Sequence, residues 1–115
     1  MTEAAEAAAD QITSEIVRLH EDSYGAGVTA ASVHVLPDLV VLVLDVELTR
    51  AEQTLIDNGS RNEVRRSREA FQEVIGPTFK AIVERATGRR VASFMSHMNI
   101  DPVYSVELFR LAPRS

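Results

Sequence analysis

The chain contains no cysteine, which excludes disulfides, thiolate metal sites and cysteine nucleophiles without fixing a compartment. Lysine is almost missing as well, Lys80 being the only one, and the net charge is −5. There is thus no basic field to displace counterions from nucleic-acid phosphates or to hold an anionic membrane. Long apolar runs are also lacking. The longest, Leu39 to Leu44, is far short of the roughly 20 residues that cross a bilayer, so direct membrane insertion is not expected. A secretory signal would open on basic residues and a longer apolar stretch, whereas this chain opens on alanines with Glu3, Glu6 and Asp10. A bacterial-type cytoplasmic location is the default expectation.

Catalytic signatures are missing too. No GxSxG or GxxxxGK[ST] motif occurs, and Gly25-Ala26-Gly27 lacks a third glycine and leads into a strand, so it is expected to be a turn. His20, His34 and His97 are far apart, with no HxxxH or HxH spacing. They are expected to be ordinary surface or strand residues unless two hairpins bring His34 beside His97. No metal, cofactor or catalytic residue is expected, and the chain is not expected to be an enzyme.

What remains is the composition of a folded chain. With 115 residues, 45% of them hydrophobic and 25% charged, there is room for one domain over residues 1–115, its first ten residues prone to fraying. Ala5, Ala8, Ile12, Ile16 and Leu19 recur at helical spacing, predicting a helix from Thr2 to about Asp22. Val28–Leu36 and Leu39–Leu48 flank Pro37-Asp38 and predict a β-hairpin. Thr49 with Glu52, and Ser60 with Glu63, have the spacing of capping boxes and open a short and a long helix. Leu55 and Ile56 are expected to pack inward from the short one. The long helix should carry a stripe of Val64, Phe71, Val74, Ile75, Thr78, Phe79, Ile82, Val83 and Ala86, kink or break at Gly76-Pro77, and end on Gly88. Val91–Met98 and Val103–Ala112 predict a second hairpin around Asn99–Pro102. The expected fold is α+β and two-layered, in the order α-β-β-α-α-β-β, with a four-stranded antiparallel sheet and helices packed on one face. The order of strands is left open.

Two surfaces stand out. In the second strand Val40, Leu42, Leu44 and Val46 share one face, yet Leu39, Val41 and Val43 make the other face apolar as well. With Met95 and Phe109 assigned to the same outer side, these five residues form a candidate interface, pointing to a homodimer or another docked protein, with the amino-terminal helix crossing to that face as the main competitor. Arg61, Arg65 and Arg68 fall at i, i+4 and i+7 on the long helix and form a candidate anion-binding face. The alternative is a solvated face whose arginines pair with Asp or Glu from another element. A small-anion-binding protein, or a modest enzyme that adds Glu73 or His97 to this face, is the runner-up function.

Four stretches carry a family resemblance. They are Gly25-Ala26-Gly27, Leu48-Thr49-Arg50-Ala51-Glu52-Gln53-Thr54-Leu55, Val83-Glu84-Arg85-Ala86-Thr87-Gly88-Arg89-Arg90-Val91, and Val106-Glu107-Leu108-Phe109-Arg110-Leu111. With these, the chain resembles the MpsC-like family of small bacterial proteins from about Ile12 to Pro113. The pieces are helix caps and a strand, so no active-site residue carries over. Some relatives are named for a membrane-potential-generating, cation- and inorganic-carbon-linked transport system. The resemblance implies a soluble accessory component of such a system. Taken with the apolar second face and the lack of catalytic motifs, the expectation is a non-enzymatic accessory protein that self-associates and docks on a membrane transport protein.

Overall fold

A computed structural model describes residues 2–25 and 27–114. Ala26, the middle of the expected Gly-Ala-Gly turn, lies outside the described residues. The chain runs α1 (Glu3–Tyr24), β1 (Val28–Val35), β2 (Leu39–Val46), α2 (Arg50–Asp57), α3 (Arg61–Thr87), β3 (Val91–Asn99) and β4 (Tyr104–Leu111). This is the expected α+β order, with an antiparallel sheet and helices on one face. The sheet order, β1-β2-β4-β3, places the two chain-adjacent hairpins side by side through β2 and β4.

Local chemistry accounts for most boundaries. The Thr2 hydroxyl accepts a hydrogen bond from the Ala5 N–H, and Gly25 ends α1 at φ 68°, a left-handed conformation that glycine adopts without a Cβ clash. Pro37-Asp38 makes the β1–β2 turn, closed by the Leu36 N–H donating to the Leu39 carbonyl at 2.8 Å. Thr49 and Glu52 form the reciprocal capping box of α2. Gly88 caps α3 in the left-handed region, as its position predicts.

Several expectations fail, each for an identifiable reason. Ser60 makes no side-chain cap bond, so the second Ser/Glu pair has the spacing of a capping box but not its geometry. The break that Gly76-Pro77 could have made does not occur, and the helix continues through it. There, a Cβ on Gly76 would sit 3.2 Å from the Phe94 ring, so the glycine lets α3 lie close on β3. Leu55 faces solvent and only Ile56 of α2 packs against the core. On α3, Phe71 and Val74 are 44% and 76% exposed, and Thr78 is exposed too. Val64, Ile75, Phe79, Ile82, Val83 and Ala86 pack inward as expected, and Arg68, Gln72 and Gly76 complete the line. Two polar side chains on that line disguised it.

The core lies between the sheet and helices α1 and α3. Ile12 and Ile16 come from α1, Phe79 and Val83 from α3, and Val40, Leu42 and Leu44 from β2. Phe109 joins them. It was assigned to the outer face, but it is fully buried beneath the helices, its ring 4.9 Å from Phe94. On β4 the inner residues are Ser105, Glu107, Phe109 and Leu111, and the outer ones are Tyr104, Val106, Leu108 and Arg110. A glutamate beside a serine suggests a solvent face, which is why the sequence pointed the wrong way.

Candidate functional site

The first candidate is the outer face of the sheet, which carries no helix. Register fixes its rows: His34, Val41, Leu108 and Met95 lie across the four strands, and the next row is Ser32, Val43, Val106 and His97. Of the expected interface set, Leu39, Val41, Val43 and Met95 lie on this face, Met95 being 66% exposed. Phe109 does not, and Val106 and Leu108 take its place. β2 and β4 have the same burial pattern, intermediate and buried by turns, and each carries one exposed charge toward its end. Because the strands are antiparallel, those charges fall at opposite ends of the face. Asp45 stands opposite Tyr104, and Arg110 opposite Leu39. The centre between them is uncharged. His34 and His97 share this face but sit on its two outermost strands, roughly 14 Å apart at ordinary strand spacing, so the hairpins do not make them neighbours.

The second candidate lies inside. Arg68 points into the protein and is 2% exposed. Its Nε and Nη2 donate to the two carboxylate oxygens of Glu52, both at 2.6 Å, in the bidentate geometry that suits a guanidinium. Nη2 also donates to the Glu47 carbonyl at 3.0 Å, and Nη1 lies 3.3 Å from His20 Nε2. The guanidinium carbon stands 4.4 Å from the centre of the Tyr24 ring, within cation–π range. The Tyr24 hydroxyl donates to the Arg68 carbonyl at 3.3 Å. Burial pushes the Tyr24 hydroxyl pKa up to about 12, a rise that Arg68 opposes and the charges of Glu107 and Glu52 support. For Glu52, partial burial disfavours the charge, but the hydrogen bonds from Arg68 and the Thr49 backbone outweigh it and hold the carboxyl below its usual range.

Next to this group Glu107 is completely buried on β4. Burial raises its carboxyl to about 8, with Ser96 and Ser105 favouring the charged form more weakly. Neither carboxylate oxygen has a hydrogen-bond partner of good geometry, and the same is true of Ser105 Oγ and Gln72 Oε1.

The three arginines expected to share an exposed face separate. Arg68 pairs with Glu52 from another element, as the competing expectation had it, but buried rather than on a solvated face. Arg61 stays at the surface, 3.9 Å from Asp101, and Arg65 is half-buried with its Nε unpartnered. The inward polar cluster of buried His20, Arg68, Gln72 and Glu107 with half-buried Tyr24 and Glu52 is missed by reading the sequence alone. A signal for it exists: His20 and Tyr24 continue the Ile12–Ile16 line at spacings of four, and Arg68 and Gln72 continue the line from Val64.

These elements match a known pattern over most of their length. A family model described as the Na+-translocating membrane potential-generating system (MpsC) matches residues 5–112. The chain belongs to the MpsC family. No curated protein and no solved structure matches it. The MpsC match covers six elements whole and all but the first two residues of α1, so both candidate sites lie within the family domain. Among the described residues, no helix of this MpsC chain is long and apolar enough to cross a membrane, and no group of three or more His, Cys, Asp or Glu is placed to hold a metal ion.

Proposed function

We propose that this MpsC-family chain is a non-enzymatic accessory protein of a cation-linked membrane transport system, and that it works by docking through the outer face of its sheet. The observation that carries this reading is the bare face itself. Leu39, Val41, Val43, Val106, Leu108 and Met95 form an uncharged centre on a four-stranded sheet whose other side is covered by α1 and α3. Its footprint of roughly 20 by 25 Å is on the scale of one side of a small protein–protein interface. The family description supports the membrane-system context. A cytoplasmic chain facing a membrane partner fits that context.

The occupant we favour is a second copy. Asp45 and Arg110 lie at opposite ends of an apolar centre. A two-fold axis running across the strands would set the Asp45 end of one copy against the Arg110 end of the other, so one patch serves both partners. Burying the apolar centre drives such association, and the end charges set its register.

Light scattering on the purified chain at tens of micromolar tests this. A dimer is expected, with Val43→Glu monomeric, Asp45→Arg weakened, and Asp45→Arg combined with Arg110→Asp restored. A wild-type monomer across this range would remove the self-association. The anion-binding reading keeps only Arg61 and Arg65, supported by the unpartnered Arg65 Nε. Phosphate or bicarbonate raising the melting temperature of wild type, but not of Arg65→Ala, would favour it.

A further inference from the structure

Among the described residues, four buried oxygen atoms on the inner side make no hydrogen bond of good geometry: both carboxylate oxygens of Glu107, Ser105 Oγ and Gln72 Oε1. The Ser96 and Ser105 hydroxyls are near enough to Glu107 to favour its charged form only weakly. Their positions are related. Ser105 precedes Glu107 by two residues on the same face of β4, and Ser96 of β3 is the direct cross-strand partner of Glu107. Directly opposed side chains of this kind begin about 5 Å apart. Gln72, from the helix packed over β3, shares with Ser96 the wall of a groove of about 420 Å³ between α3 and β3. Glu69, Glu73 and Lys80 also line it, so two of its three charged groups are acidic.

A buried acceptor left unmatched costs about 1–3 kcal/mol, and an unmatched buried charge costs more. The nearby buried cation does not offset this, because Arg68 is committed to Glu52, the Glu47 carbonyl and His20. The donor set is hard and contains only oxygen: one carboxylate, an amide carbonyl and two hydroxyls. Nitrogen and sulfur, which transition metals favour, take no part. A single negative charge balances one positive charge, whereas divalent sites are usually built with more carboxylates.

We propose that Glu107, Ser105, Ser96 and Gln72 form a binding site for a small monovalent cation, reached from the groove between α3 and β3. The site uses the inner face of the sheet and is independent of docking through the outer one. The cation neutralises the buried carboxylate, and the serine and glutamine oxygens replace part of its water shell.

The test is thermal unfolding of the full chain near pH 9, where Glu107 has shed its proton, in sodium chloride and in choline chloride of equal ionic strength. Sodium at tenfold excess over its Kd should raise the melting temperature by roughly 5 °C. The isosteric Glu107→Gln should fold and lose the effect. Sodium-23 relaxation should show line broadening with wild type that Glu107→Gln abolishes. If Glu107→Gln does not fold, Ser105→Ala serves in its place, with broadening reduced at equal sodium. Identical melting in the two salts, with no sodium-23 broadening by wild type, would overturn the proposal and leave the proton as the only occupant. A sodium effect that persists unchanged in Glu107→Gln would also overturn it.

Discussion

Arg68 and Glu52 hold α2 against α3. The bidentate pair, with both bonds at 2.6 Å, links a helix that has no fully buried residue of its own to the long helix that crosses the core. Glu52 has two duties: it closes the capping box of α2 through the Thr49 N–H and it receives the Arg68 guanidinium. The start of α2 and its docking therefore depend on one carboxylate.

Truncating Arg68 leaves Glu52 without its cation, and the Glu47 carbonyl loses a donor. Arg68→Ala should lower unfolding stability by about 3 kcal/mol, the scale of breaking a largely buried pair. Glu52→Gln, which keeps the shape and part of the hydrogen bonding, should cost less. Urea unfolding of both single variants and the double variant would measure the coupling, and additive losses would argue against the pair as the link.

Capping separates two threonine- and serine-led helices that look alike in sequence. Thr49→Ala removes a hydroxyl that accepts the Glu52 N–H and should cost about 1 kcal/mol. Ser60→Ala removes no cap bond and should be close to neutral. Equal losses in chemical denaturation would contradict the difference in geometry.

The two faces of β4 and β3 should respond differently to truncation. Phe109→Ala opens the core and should destabilise by about 3–5 kcal/mol, whereas Met95→Ala on the exposed face should change the stability of the isolated chain by less than about 0.5 kcal/mol. Thermal melts at concentrations low enough to keep the chain monomeric would show this.

Acid and base should act through different carboxyls. Between its ordinary 4.5 and about 8, Glu107 holds a proton in the folded chain that the unfolded chain has released. Stability from this group is full below 4.5 and is lost as pH rises through about 8. In sodium-free buffer, Glu107→Gln should flatten that decline. Glu52 behaves oppositely: its folded pKa lies below the ordinary value, so its contribution is present above 4.5 and is lost as pH falls through the lowered value. Glu52→Gln should remove part of the acid sensitivity below pH 4.5. Urea midpoints measured across the pH range would test both signs.

Much of this architecture could be read from local chemistry. Alternation in β2, the Pro37-Asp38 turn, the Thr49–Glu52 cap and the Gly88 stop depend on neighbours within a few residues, so the element order and the α+β class follow from the chain alone. The MpsC resemblance rests on the same caps and strand. Local chemistry failed where a polar residue occupies an inward position. Arg68, Gln72 and Glu107 lie on buried faces, which inverted the reading of β4 and hid the middle of the inward line of α3.

The outer face was the leading feature of the sequence, and the structure changed its membership. Leu39, Val41, Val43 and Met95 belong to it, and Val106 and Leu108 replace Phe109. Amino-acid spacing determined that the sheet would have two apolar sides. Only the tertiary structure decided which residues of β4 face which side, because burial of Glu107 depends on the helices packed over the inner face of the sheet and on Ser96 standing opposite. Side-chain polarity is a local property, but the cost of burying it is set by what the rest of the chain places around it.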